Sequence, residues 1–347
     1  MARSEARPPP RLKAHIALFE ATTLLAKGLK DQLVARAFPT ASVRLFTSSE
    51  DPDANLTDFG GEAMLVARPD PDALGSLDLA FLCGTGTEPF PYHEWARRIG
   101  FTAIDLTAAS PERTGVPVVN VAVNPEAIPP APSVIAAPGP MAQILSSVLA
   151  PIRRGPGLRA ATAVVFQPAS GSGEGAIDEL YRQTLGVLNF QDLPTAVHGS
   201  QLAFNLIPSS AYAGGAMPGG SDPARLRQEV LRVTGDGYGL EVEVVLAPVF
   251  HCHTVLLRVV LPEGRQPSEL PEALRSAPDL ELAPPGKAVT PVGRAGKPGI
   301  LVGGVRPAEE GSAWLWAAAD DLVGGTTLNA VRIAETILET GLGRGAA

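Results

Sequence analysis

His251-Cys252-His253 sets a thiol beside two imidazoles, the pairing from which a thiolate and its general base can be made. In a strand, successive side chains alternate between faces, so Cys252 is expected to point away from both imidazoles and to serve as a small buried apolar residue. His251 and His253 on one face could instead supply two metal ligands. A site needs at least a third, and His15, His93 and His198 show no matching spacing, so no metal is expected. Cys83, ahead of Gly84-Thr85-Gly86, falls at the end of a predicted strand and is the other candidate thiol. No base or cation can be named beside it, and packing is the role expected of it. Glu174, Asp178 and Glu179 could pair as acid and base, but they open a predicted helix, where an acidic first-turn cap is favourable.

Whether any of these groups could react depends on where strand ends and helix starts put them. Val134 to Ala137 form a β-type run that halts at Pro138-Gly139-Pro140 and gives way to a helical period at Met141, Ile144, Leu145, Val148 and Leu149. Such an elbow exposes one side chain at the carboxyl end of a sheet and aims helix N–H groups at it. Here it holds no thiol, hydroxyl or carboxylate, so nothing at the elbow can attack a substrate. The first strand-to-helix turn, Phe19 to Lys27, contains no glycine, and Glu20 brings a negative charge to the place where a dinucleotide fold seats a pyrophosphate.

At 347 residues, 45% hydrophobic and 18% charged, the chain has an ordinary globular composition and room for two cores. A net charge of −8 without a basic cluster argues against nucleic acid and against an anionic membrane surface as partners. No run is apolar enough to span a bilayer, and residues 1–13 read as a disordered arm rather than a signal peptide. Two free cysteines fit a reducing, cytoplasmic setting.

Over residues 14–137, short apolar runs (14–19, 43–46, 78–83, 102–105) alternate with helical periods (24–33, 92–99). This predicts an α/β, Rossmann-like, doubly wound parallel sheet of the NAD(P)-binding type, with its ligand crevice beyond the carboxyl ends of the strands. Over 138–323 the runs at 161–166, 240–250, 254–261 and 313–319 accompany a helix at 174–185, and those at 240–250 and 254–261 are longer and more β-branched. They predict an α+β dimerisation domain of catalytic type with a largely antiparallel sheet, one face covered by helices and the other free to pair subunits. A last amphipathic helix, 326–339 within the segment 324–343, is expected to return and complete the first domain.

Several segments together resemble the aspartate-semialdehyde dehydrogenase family. They are Asn124-Pro125-Glu126, Gln167 with Ser170-Gly171-Ser172-Gly173, Ala203 to Pro208, Pro248 to His253, and Asp320-Asp321-Leu322 with Gly325 and Leu328 to Val331. Their order and spacing hold from about Ile16 to Glu335. The resemblance implies dimers that reduce an aspartyl phosphate with NADPH through a cysteine thioester, a step in amino-acid biosynthesis.

The resemblance also assigns positions. His253 matches the base and Gln167 the residue that orients the acyl carbonyl, while Pro140 stands where the nucleophilic cysteine belongs. Leu246 replaces the arginine that clamps the substrate carboxylate. Glu20, Thr23 and Ala26 replace the glycines of the cofactor turn, and Glu50 and Pro111 replace two phosphate-binding arginines. Arg225 corresponds to a phosphate-binding lysine. Vestiges of a cofactor site are expected at Thr22, Thr23, Gly84, Gly86 and Gly325. The expectation is therefore an oxidoreductase-family pseudoenzyme with no cofactor, acting as a homodimeric scaffold or as the partner of an active relative. The alternative is an NADP-dependent oxidoreductase of altered substrate or mechanism.

Overall fold

The computed structural model describes residues 13–51, 55–85, 90–107, 115–130, 132–212, 222–309 and 311–340. The arm expected over residues 1–13 falls outside them except for Lys13, as do Gly86, Pro111 and the last residues of the segment 324–343.

The N-terminal sheet is built from β1 (Ala14–Phe19), β2 (Thr40–Phe46), β3 (Leu56–Phe59), β4 (Glu62–Ala67), β5 (Leu79–Leu82), β6 (Thr102–Asp105) and β7 (Val134–Ala136), with helices α1 (Leu24–Ala35) and α2 (Tyr92–Ile99) between them. Its order is β3-β4-β2-β1-β5-β6-β7, parallel throughout except for the β3/β4 pair. β1 is buried at every position except His15, as a central parallel strand covered on both faces must be. The β3/β4 hairpin was not anticipated, although Gly60-Gly61 between the strands is a turn signal. Both glycines adopt positive φ, 67° and 86°, which a two-residue hairpin of this hand requires.

Pro138-Gly139-Pro140 then leads into α3 (Pro140–Arg154), buried without a break from Met141 to Ala150. The rest comprises β8 (Ala160–Gln167), α4 (Glu174–Asn189), β9 (Ile207–Pro208), α5 (Pro223–Thr234), β10 (Gly239–Leu246), β11 (His253–Val260), α6 (Leu270–Arg275), β12 (Leu280–Leu282), α7 (Pro291–Arg294), β13 (Ile300–Pro307), β14 (Ser312–Ala319) and α8 (Thr326–Thr340). The C-terminal sheet runs β12-β13-β14-β11-β8-β10-β9 and is largely antiparallel, β8/β10 and β12/β13 being its parallel pairs. The run expected over 240–250 stops as a strand at Leu246. Residues 247–252 instead form an irregular turn whose carbonyls at Val249 and Phe250 receive the amides of Ala169 and Ser170.

One face of this sheet packs with α3, α4 and α5 into a single core. The other face presents Val164, Phe166, Leu256, Trp314 and Trp316, all half-buried, with the rings of Phe166 and Trp316 stacked at 6.2 Å. Glu241 and Glu243 on β10 flank the apolar strip on one side, and Arg306 on β13 lies on the other.

α4 also organises the long connection over residues 190–206. The Glu179 carboxylate accepts the amides of Val197 (2.7 Å) and His198 (2.9 Å) and meets the His198 ring (2.8 Å). One turn on, Gln183 accepts the amides of Leu202 and Ala203 and donates to the carbonyls of Pro194 and Ser200. Glu179 is therefore a buried loop anchor and not part of an acidic cap; Glu174 alone lies in the first turn, and Asp178 pairs with Arg182 at the surface. Burial would raise the Glu179 carboxyl, but the two amides and the imidazole bring it below the usual carboxylate range.

α8 packs its Ala330, Val331, Ile333, Ala334 and Ile337 into the core of the N-terminal sheet. Asn329 donates to the Val119 carbonyl (2.7 Å) and accepts from the Val121 amide (2.9 Å), and Arg36 grips Glu335 through two nitrogens. Asn329→Ala strands two backbone groups away from water, so urea unfolding should report a loss of about 2–4 kcal/mol, well beyond an ordinary surface change.

Candidate functional site

β8 ends at Gln167 and β11 begins at His253, and the pairing of Phe166 with Thr254 sets the two side chains next to one another. A Cβ at Gly171 would lie 3.0 Å from His253 Nε2 and 3.0 Å from Gln167 Cγ, so only glycine leaves room for both. The Gln167 amide donates to Ser172 Oγ at 3.1 Å. On the other side of the ring, His253 Nδ1 faces Asp321 Oδ1 at 3.4 Å, long for a hydrogen bond and within ion-pair reach. Gln167 is 0% exposed and His253 1%. The two residues expected as remnants of catalysis are therefore brought together, but sealed from solvent.

Burial alone would raise the Asp321 carboxyl. The electrostatic pull of the nearby His253 outweighs it, with His251 adding to it, and holds the group below the usual carboxylate range. In the sequence Asp321 stands out only by its place in Asp320-Asp321-Leu322, with nothing there to mark its partner. Its neighbour Asp320 accepts the amides of Gly296 (2.8 Å) and Leu322 (3.1 Å) and so shapes the loop before α8.

Cys252 departs from the strand alternation expected of it. It precedes β11 and has φ 76°, so strand alternation does not apply to it. It is nonetheless buried, and burial with Asp320 and Asp321 nearby pushes its thiol up to about 12, far from a reactive thiolate. Cys83 is buried as well, its thiol raised by the same desolvation. Among the described residues no group of three or more His, Cys, Asp or Glu is placed to hold a metal ion.

At the elbow, Gly139 caps α3 and Pro140 is its first residue. The Gly139 amide donates to Glu229 Oε1 at 2.7 Å, a carboxylate delivered by α5. Burial raises that carboxyl, against the opposing pull of the Gly139 bond and of Arg225 and Arg232. Leu246 is fully buried. Thr326 Oγ1 donates to the Pro138 carbonyl at 2.8 Å, fastening the start of α8 to the elbow.

Of the residues expected at a cofactor site, Thr23 and Gly325 are engaged within the fold. Thr23 caps α1 by accepting the Ala26 amide (3.1 Å) and donates to the Cys83 carbonyl (2.9 Å); Thr22 lies half-buried beside it and Gly84 after β5 is half-buried. Gly325 lies in a tight turn where a Cβ would come within 2.9 Å of the Asp321 backbone. Glu50 pairs at the surface with Arg68. Glu20 has φ 58°, and its carboxylate turns inward to accept from Ser48, Tyr92 and Thr47.

The profile of the semialdehyde dehydrogenase dimerisation domain matches residues 149–324, half of the chain. The chain belongs to the semialdehyde dehydrogenase family. It is 29% identical to a USG-1 protein homolog of Azotobacter vinelandii over 333 residues, covering 94% of this chain and 98% of the relative. It is also 29% identical to an aspartate-semialdehyde dehydrogenase of Streptomyces akiyoshiensis, covering 93% and 98%. Among solved structures it is similar to a probable aspartate-semialdehyde dehydrogenase from Pseudomonas aeruginosa (TM-score 0.86, 27% identity, 94% and 99% covered). Aspartate-semialdehyde dehydrogenase II from Vibrio cholerae gives a TM-score of 0.85 at 26% identity, with the same coverage. Two sheets with this topology are thus the family's architecture, and no described helix is long and apolar enough to cross a membrane.

The pair at the heart of the site has a pH signature. Because the Asp321 carboxyl is depressed in the folded chain, its stabilisation is complete above the unfolded value of about 3.9 and is lost as the pH falls through the lower folded value. Asp321→Asn should cost about 3 kcal/mol near pH 6. Denaturant melts from pH 6 to pH 2 should show the wild type converging on the variant at the acid end.

Proposed function

We propose that this chain is a homodimeric member of the family that has lost the parent reaction and acts through its surface, as a scaffold or as the partner of an active relative. Pro140 carries the reading. At the first position of α3, where the family resemblance places the attacking thiolate, the chain has a ring without a nucleophilic atom. Leu246 offers no charge to a substrate carboxylate, and neither cysteine is poised to take over. Loss of one participant typically costs orders of magnitude in rate, and here several are missing together. NADP fits the first turn poorly, because that turn has no glycine and carries a carboxylate, so no step is assigned to a cofactor.

The grouping of His253, Asp321 and Gln167 favours a second reading, an NADP-dependent oxidoreductase acting on a different substrate. Its base would have to be uncovered first, since both His253 and Gln167 are shut away. Purified protein supplied with aspartate semialdehyde, NADP and phosphate should show no turnover, and Pro140→Cys alone should not create it while Leu246 remains. Turnover by the wild type that His253→Ala abolishes would overturn the non-catalytic reading.

The dimer is assigned to the uncovered face of the C-terminal sheet. An apolar strip with Glu241 and Glu243 to one side and Arg306 to the other is complementary to itself under a two-fold rotation. Light scattering should give the mass of two chains, and Trp316→Glu should reduce it to one without changing the far-ultraviolet spectrum. A monomeric wild type would remove the assignment.

A further inference from the structure

We propose that Glu20 is a resident anion: its carboxylate occupies a phosphate-accepting cradle made by the Ser48 amide, Thr47 Oγ1 and the Tyr92 hydroxyl, and so keeps phosphorylated ligands out of the cleft. This deepens the non-catalytic reading, on which it rests for the claim that the wild type takes no nucleotide.

The geometry is that of a bound anion. Both carboxylate oxygens accept from Ser48 N–H, at 3.1 and 3.0 Å; Oε1 also accepts from Tyr92 OH at 2.7 Å and Oε2 from Thr47 Oγ1 at 3.3 Å. Those donors come from two places, Thr47 and Ser48 after β2 and Tyr92 at the start of α2, while the acceptor, Glu20, follows β1. In a doubly wound sheet the carboxyl ends of the first two strands are where the phosphates and the adenosine ribose of a dinucleotide lie, so the donors face the cofactor's position while the acceptor is supplied by the chain. Glu20 is only 7% exposed, so its negative charge is fixed inside the cleft and does not swing out into solvent.

The turn spends its other donors in the same way. Ala21 N–H bonds the Phe46 carbonyl, Thr23 N–H the Glu20 carbonyl, and Ala26 N–H the Thr23 hydroxyl. The Tyr92 ring completes the closure, lying 4.4 Å from Phe19 and 5.7 Å from Trp95 between centroids. A phosphate approaching this position would meet a buried carboxylate holding every donor of the cradle, a repulsion that water screens little. Without that carboxylate the cradle loses the acceptor its donors share, and a small anion is what it would take.

Glu20 also sits at φ 58°, a conformation glycine adopts at no steric cost, so Glu20→Gly relieves backbone strain while removing the charge. The test is a thermal-melt series on the full chain and on Glu20→Gly, with inorganic phosphate, NADPH, NADH and sodium chloride of equal ionic strength. Wild type should show no shift beyond the salt control. Glu20→Gly should melt several degrees higher in phosphate or NADPH, with at least tenfold tighter binding by titration than wild type. A response to phosphate alone identifies a free-anion site; a response to NADPH but neither to phosphate nor to NADH identifies the dinucleotide's extra phosphate. If Glu20→Gly does not fold, Glu20→Ser takes its place. A folded variant that ignores every anion, or a wild type that responds as strongly as the variant, overturns the inference. Turnover by the wild type would end the non-catalytic reading and this inference with it, whereas a folded Glu20→Gly that ignores every anion ends the inference alone, so the two failures are separable.

Discussion

A backbone N–H at the end of a strand or the start of a helix, once withdrawn from water, must give its hydrogen to an acceptor. In a doubly wound fold these groups gather at one edge of the sheet, which is why that edge suits phosphates and carboxylates. This chain meets the demand from within. Glu20 serves Ser48, Glu229 serves Gly139, and Asp105 serves Thr107 at 2.7 Å while also engaging His93. Three side-chain carboxylates thus stand at three places in and around the cleft where a ligand's oxygens could have been received.

The same economy holds around His253, where the family resemblance places the reaction centre. His253, Asp321 and Gln167 form a buried cluster, with Gly171 leaving the space that His253 and Gln167 need. Its present contribution is to couple the start of β11, the end of β8 and the loop that enters α8. Because His253 and Asp321 are both buried and 3.4 Å apart, removing either leaves the other without its neighbour, a cost the fold bears directly.

Much of the architecture was legible because the signals were local. β1, α2 and β6 end where their apolar periods end, and the elbow at Pro138-Gly139-Pro140 announced both a strand and a helix. What escaped detection depended on contacts remote in sequence. β3 and β4 carry too short an alternation to stand out beside their Gly-Gly turn. Glu179 looked like a helix cap because its position is N-terminal, whereas its partners lie 18 and 19 residues away. Cys252 was assigned by strand periodicity, yet the strand begins one residue later. Tyr92 and Glu229 gave no sign of their roles, since a phenol or a carboxylate on a helix becomes informative only once the opposite wall is known.

The paired anchors of α4 set the terms for the surface above them. Glu179 and Gln183, one turn apart and buried, fix six backbone groups of the connection over 190–206, although it has no regular structure of its own until β9. The rings this segment displays, Phe190 at 99% exposure and Phe204 beside Leu206, take no part in holding it. Such a platform divides labour as an antibody loop does: two interior residues keep its shape, and the outward rings can be exchanged without disturbing what lies beneath.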